Sequence, residues 1–237
     1  MSFVDAYYDR EDDMIRVVER DDKGQRHFKD YAARHIFYYN DPKGKFQSIK
    51  GEPLSRVSSK NVKEHRKELA IHSNKRLYES DINPIYRCLE DHYLNQDAPK
   101  LNVAFFDIEV DFDPERGYAS PDDAFMPITA IAVYLQWMET MVCLAIPPKG
   151  LGMEEAKKLV EEFPNTHLFD NEADMLDTFL NLIQESDVLS GWNSEGFDIP
   201  YTVNRVIKVL SKEDTRRFCL WDCFPKKREY EKFGKTA

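Results

Sequence analysis

Apolar and polar positions run in two rhythms along this chain of 237 residues. The first hundred residues favour short aromatic and β-branched runs broken by turn residues. Phe3 to Tyr8, Met14 to Val18 and His35 to Tyr39 read as strands. Asp21-Asp22-Lys23-Gly24 offers a turn, with a glycine free to take positive φ. Asn40-Asp41-Pro42-Lys43-Gly44 closes the His35 run in the same way. Residues 60–70 predict a basic helix, and Asn83-Pro84 predicts a capped helix reaching about Leu94. Asn95 to Lys100 has the composition of a boundary, which divides the chain into 1–100 and 101–237.

Beyond that boundary the pattern changes. Leu101 to Val110, Ile128 to Trp137 and Met141 to Ile146 predict three strands, the last two joined as a hairpin. Helices follow from Met153 to Glu162 and after Asn171, where Met175, Leu176, Phe179, Leu182 and Ile183 recur at helical spacing. Thr166 to Phe169 adds a short strand. Asp187 to Gly191 predicts another, and Phe197 to Leu210 a final helix. The order β-β-β-α-α-β-α implies a mixed α/β sheet, preceded by a smaller β-rich α+β domain.

An aromatic fraction of 13% is enough to fill a core, and disorder is excluded as the main state. The charged N-terminus, MSFVDAYYDREDD, is no signal peptide, and the longest apolar run, Ile128 to Leu135, falls far short of a membrane span. A soluble, non-secreted, cytoplasmic protein without a membrane partner is expected. Four dispersed cysteines favour reduced thiols over a zinc site. The net charge of −10 is unevenly spread: residues 1–100 balance at +1, 101–204 at −16 and 205–237 at +5. An acidic centre with basic flanks suits an enzyme that holds metal on carboxylates and phosphates on its flanks.

The chemistry concentrates in two segments. In Phe105-Phe106-Asp107-Ile108-Glu109-Val110, strand alternation puts Asp107 and Glu109 side by side, opposite Phe106, Ile108 and Val110. Two such carboxylates repel, and a hard divalent cation relieves both the repulsion and the cost of burial. A strand with one wet face would carry the same pattern. The second segment is Gly191-Trp192-Asn193-Ser194-Glu195-Gly196-Phe197-Asp198, a strand end turning into a helix with Asp198 in its first turn. Asn193 offers a donor and an acceptor. Ordinary capping by Asp198 is the competing reading.

Taken together, F-D-I-E-V followed by N-x-x-x-F-D resembles the first two exonuclease motifs of family-B DNA polymerases. The longer string GWNSEGFDIPYTVNRV resembles the tailed-bacteriophage form. The resemblance implies an RNase H-like fold over 101–237 and a proofreading 3′→5′ exonuclease within a DNA-directed DNA polymerase. It implies Asp107, Glu109 and Asp198 as catalytic carboxylates holding Mg²⁺ or Mn²⁺ in a two-metal site. Asn193 and Phe197 then meet the frayed, single-stranded primer end, and Tyr118, after Gly117, becomes a base-stacking residue. The partners implied are DNA, as primer end and template, the C-terminal polymerase domains, and RNA at the N-terminal domain.

The family's third motif, Tyr-x-x-x-Asp, does not occur in 199–237, and Asp214 and Asp222 are substitutes by residue type only. Residues 229–237 resemble the first arm of a strand-separating hairpin. The expectation is therefore an exonuclease fold incomplete at its C-terminus, weakly active or inactive alone. The alternative is a non-catalytic nucleic-acid-binding or assembly module that needs a partner chain. Its surface would be the basic stretch 43–76, where Lys60, Lys63, Arg66 and Lys67 are spaced to share a helical face.

Overall fold

The computed structural model describes residues 2–227, together with the backbone of 231–232 and 235–236. The chain divides into two compact units, Met1–Lys100 and Leu101–Ala237.

The first unit is built on two antiparallel sheets. β1 (Ser2–Asp9), β2 (Met14–Arg20) and β3 (Arg26–Ala32) form a meander. Its second turn follows the Asp21–Gly24 pattern: the Gly24 amide donates to the Asp21 carbonyl, and Gly24 sits at φ +77°. β4 (His35–Asn40), β5 (Phe46–Gln47), β6 (Pro53–Ser59) and β7 (Leu77–Tyr78) form the second sheet, in the order β5-β6-β4-β7. Strands β3 and β6 carry a weak apolar signal, because each is solvated along much of its length. The helix α1 (Val62–Ile71) starts two residues later than the sequence pattern suggests. Asn61 accepts from the Glu64 amide, and Glu64 accepts from the Lys60 amide, so Lys60 lies before the cap and outside the helix. The helix α2 (Pro84–Tyr93) opens at the Asn83 cap and packs Cys88 and Tyr93 with Ile15 and Val17 of β2.

The second unit is a five-stranded mixed sheet, built from β8 (Val103–Val110), β9 (Ile128–Leu135), β10 (Thr140–Ala145), β11 (Thr166–Leu168) and β12 (Val188–Ser190). The order is β11-β10-β9-β8-β12. β9 pairs antiparallel with both β8 and β10, while β12 pairs parallel to β8 and β11 parallel to β10. This is the RNase H-like arrangement that the resemblance implies, with the acidic strand β8 in the interior of the sheet, between β9 and β12. Three helices follow the meander: α3 (Met153–Leu159), α4 (Glu172–Ile183) and α5 (Asp198–Val209). Phe106, Ile108, Ile131 and Val133 on the sheet meet Met175, Leu176, Phe179 and Tyr201 from α4 and α5 in one core. Within 229–237, Glu231–Lys232 pairs antiparallel with Lys235–Thr236, and the rest of that expected hairpin arm lies outside the described residues. No helix among the described residues is long and apolar enough to cross a membrane.

One ion pair ties this unit together. Arg205 of α5 and Glu172 in the first turn of α4 are each about nine-tenths buried, and they are joined by Nη2 and by Nε at 2.8 Å. Glu172 also accepts from the Ile128 amide at 2.8 Å, where β9 begins. A buried pair adds little net stability against an apolar substitute, but breaking it leaves one charge uncompensated. Glu172→Ala should therefore cost about 3–5 kcal/mol in the unfolding transition of this unit, measured by urea denaturation. A cost below about 1 kcal/mol would mean that the pair behaves as a surface contact.

Candidate functional site

Alternation along β8 does what the sequence implies. Ala104, Phe106 and Ile108 are buried, whereas Phe105, Asp107 and Glu109 are exposed on the opposite face. Asp111 and Asp113 fall beyond the end of the strand.

Asp198 enters from another part of the chain. It opens α5, is only 4% exposed, and its Oδ1 accepts from the Ile108 amide at 3.3 Å. The carboxylate therefore lies against the backbone of β8, one residue from Asp107 and one from Glu109. Burial pushes its pKa above the usual carboxylate range. Its own amide and that of Ile108 pull the pKa down, and the negative charge of Asp107 adds to the rise. The charge of Asp107 thus reaches the Asp198 carboxylate.

The turn before α5 makes this approach possible. Gly191 follows β12 so closely on β8 that a Cβ there would stand 2.3 Å from the Phe106 carbonyl oxygen. Asn193 takes a left-handed backbone at φ 53°, and its carbonyl accepts from the amides of Gly196 and Phe197 at 2.9 and 3.0 Å. Gly196 leaves room for the Asn193 side chain, whose Oδ1 would lie 2.6 Å from any Cβ at that position. Asn193 remains exposed. Phe197 is half-buried and stacked on Tyr201, with centroids 5.2 Å apart. Trp192, which the sequence reading passed over, is 91% exposed beside this turn.

Tyr118 is 86% exposed and tilts against the exposed ring of Phe112, at 4.9 Å between centroids. The loop that carries it is tightly folded. Asp113 Oδ1 accepts from the amides of Glu115 and Arg116, and Gly117 lies at φ +81°. Added bulk at Gly117 would meet nothing, so glycine serves its backbone angle alone. In the first unit, Lys63, Arg66 and Lys67 are exposed on α1, and none of them enters an ion pair among the described residues.

The structure brings Asp107 and Asp198 together across β8, with Glu109 two residues along the same face. Among the described residues, no group of three or more His, Cys, Asp or Glu is gathered tightly enough to hold a metal. The model for DNA polymerase family B, exonuclease domain, matches residues 56–236, and the chain belongs to that family. The DNA-directed DNA polymerase of Escherichia phage RB69 is 33% identical over 151 residues, which is 54% of this chain and 16% of the phage protein. That of Enterobacteria phage T4 is 46% identical over 52 residues, covering 21% of this chain and 6% of the phage protein. The DNA polymerase 1 of Sulfolobus acidocaldarius is 25% identical over 227 residues, covering 87% of this chain and 24% of that protein. The chain thus spans less than a quarter of each of these relatives.

Two outcomes follow from the geometry. Gly191→Ala forces the turn off β8, so it should destabilise the unit by about 1–3 kcal/mol and separate Asp198 from Asp107. Thermal unfolding tests the first effect, and loss of the Ile108 amide's protection from hydrogen exchange tests the second. A parent-like variant would contradict both. The raised pKa of Asp198 means that the folded unit keeps this proton to higher pH than an unfolded chain does. The stabilisation is full below the ordinary carboxylate range and is lost as pH rises through the folded value. In metal-free buffer, Asp198→Asn should remove that loss and unfold at a higher temperature than the parent at neutral pH. A variant no more stable than the parent would show that the carboxylate is compensated.

Proposed function

We propose that this chain carries the 3′→5′ proofreading exonuclease centre of a DNA-directed DNA polymerase, acting on the single-stranded primer end. One observation carries the reading most directly: a buried Asp198 is docked, through the Ile108 amide, on the strand that carries Asp107 and Glu109. An all-oxygen donor set, with two carboxylates on one face of β8 and a third docked on its backbone, fits a hard divalent cation, Mg²⁺ or Mn²⁺. The ligands would be Asp107, Glu109 and Asp198. When bound, such cations supply Lewis acidity toward the scissile phosphate and the attacking water.

The chain's own residues do the rest by placement. β8 fixes the spacing of Asp107 and Glu109, and the Ile108 amide fixes the orientation of Asp198. The exposed amide of Asn193 orients the sugar-phosphate end of the strand, and Phe197 braces the turn that presents it. Tyr118 stacks on a terminal base, a contact that tolerates any sequence. The remaining polymerase domains, the template strand and the infected host cell as setting belong to the same proposal.

A second reading draws on a separate observation. Lys63, Arg66 and Lys67 are exposed on α1 and enter no ion pair among the described residues, which suits phosphate contact with template or RNA. On that reading the chain serves as a nucleic-acid-binding or assembly module, with Lys60 at the margin.

Calorimetric titration of Mn²⁺ or Mg²⁺ into the parent and Asp107→Ala, with digestion of single-stranded DNA followed in the same samples, separates the two. The exonuclease reading expects binding by the parent, at least tenfold weaker binding by Asp107→Ala, and cleavage that requires metal. Binding unaffected by the substitution, or absent at millimolar metal, would leave the module reading in its place.

A further inference from the structure

The helix that begins with Asp198 grips a loop with four of its side chains. Tyr201 donates its hydroxyl to the Met126 carbonyl at 2.8 Å. Asn204 Nδ2 donates to the Pro121 carbonyl at 2.7 Å, and Arg205 Nη1 to the Ala124 carbonyl at 3.1 Å. Lys208 donates to the Asp123 carbonyl. Positions 198, 201, 205 and 208 follow helical spacing, with 204 beside them, so one stripe of α5 carries both the carboxylate and this row of donors. The acceptors are backbone carbonyls of 121–126, which end the loop that starts at Gly117-Tyr118. Two further contacts close the loop on itself. The Arg116 guanidinium lies 3.6 Å from the centroid of the Phe125 ring, and the Ala124 amide donates to the Ser120 carbonyl at 2.8 Å.

Loops of this kind move readily when few contacts hold them. Here a shift of the loop would strip partners from several donors at once, two of them buried, and each loss is costly. The grip extends from the first turn of α5 to its last, so the loop cannot slide along the helix while all four bonds hold.

We infer that Asn204, Arg205 and Lys208 are positioning residues, which lock the Tyr118 loop to the helix that presents Asp198. Stacking of the terminal base and presentation of the carboxylate are thereby set by one rigid element. The inference rests on the stacking role proposed for Tyr118. It also assigns work to the second half of the Y-T-V-N-R-V-I-K string, whose polar residues otherwise have no part in the chemistry.

Asn204 is the residue to vary, since it carries no charge to confuse DNA binding and lies outside the buried ion pair. Binding of a 5′-labelled oligothymidylate to the full chain is measured by fluorescence anisotropy, with Ca²⁺ replacing Mg²⁺ to block cleavage. Tyr118→Ala should weaken binding about tenfold, Asn204→Ala about three- to tenfold, and the double variant no more than Tyr118→Ala alone. Asn204→Gln, which keeps a donor, should recover most of the affinity. Hydrogen exchange at the Gly117 and Ala124 amides should quicken in Asn204→Ala. Parent-like binding by Asn204→Ala, full additivity with Tyr118→Ala, or unchanged exchange would overturn the inference. A Tyr118→Ala chain that binds like the parent, or a parent that does not bind, would overturn the stacking role beneath it. The exchange rates distinguish that outcome, because they report the loop alone.

Discussion

The second unit tolerates one buried carboxylate, and its local geometry is arranged around that constraint. Asp198 is held out of water at the start of α5, where ionisation is disfavoured by desolvation and by the charge of Asp107. Nothing in an apolar core requires this arrangement, and a leucine there would cost less. It persists because the surrounding backbone leaves no alternative. The Ile108 amide takes one oxygen, Gly191 lets the turn close on the Phe106 carbonyl, and Glu172 and Arg205 hold α4 and α5 at their common end. The strain is electrostatic, and two backbone amides, those of Ile108 and of Asp198 itself, offset part of it.

Much of this was legible in the sequence. The D-x-E pair could be placed on one face because strand periodicity is local, and β8 keeps that register from Val103 to Val110. The asparagine caps of α2 and α4 were legible for the same reason: Asn83 and Asn171 each accept from an amide two or three residues on. Strands β3, β5, β6 and β7 were missed. β3, β5 and β6 are largely exposed or serine-rich, and β7 is only two residues long. Lys60 was placed on a helix that the Glu64 cap excludes it from.

The long-range contacts were out of reach of pattern reading altogether. Glu172 and Arg205 are 33 positions apart, and Asn204 and Pro121 83 apart. No periodicity links such residues; only the packing of α4, α5 and the 121–126 loop in the folded unit brings them together. Trp192 is a different case, since its composition signal suggests core and its 91% exposure says otherwise. A large aromatic left exposed at the strand-to-helix turn is a local conflict between composition and burial.

The central claim is that Asp107, Glu109 and Asp198 form a cation site across β8. Paramagnetic broadening by Mn²⁺ tests it without recourse to activity. In ¹⁵N spectra of the full chain, substoichiometric Mn²⁺ should broaden the amides of Asp107, Ile108, Glu109 and Asp198 first, and those of distant strands such as β11 last. Broadening that begins elsewhere, or that spreads evenly over the acidic surface, would contradict the account.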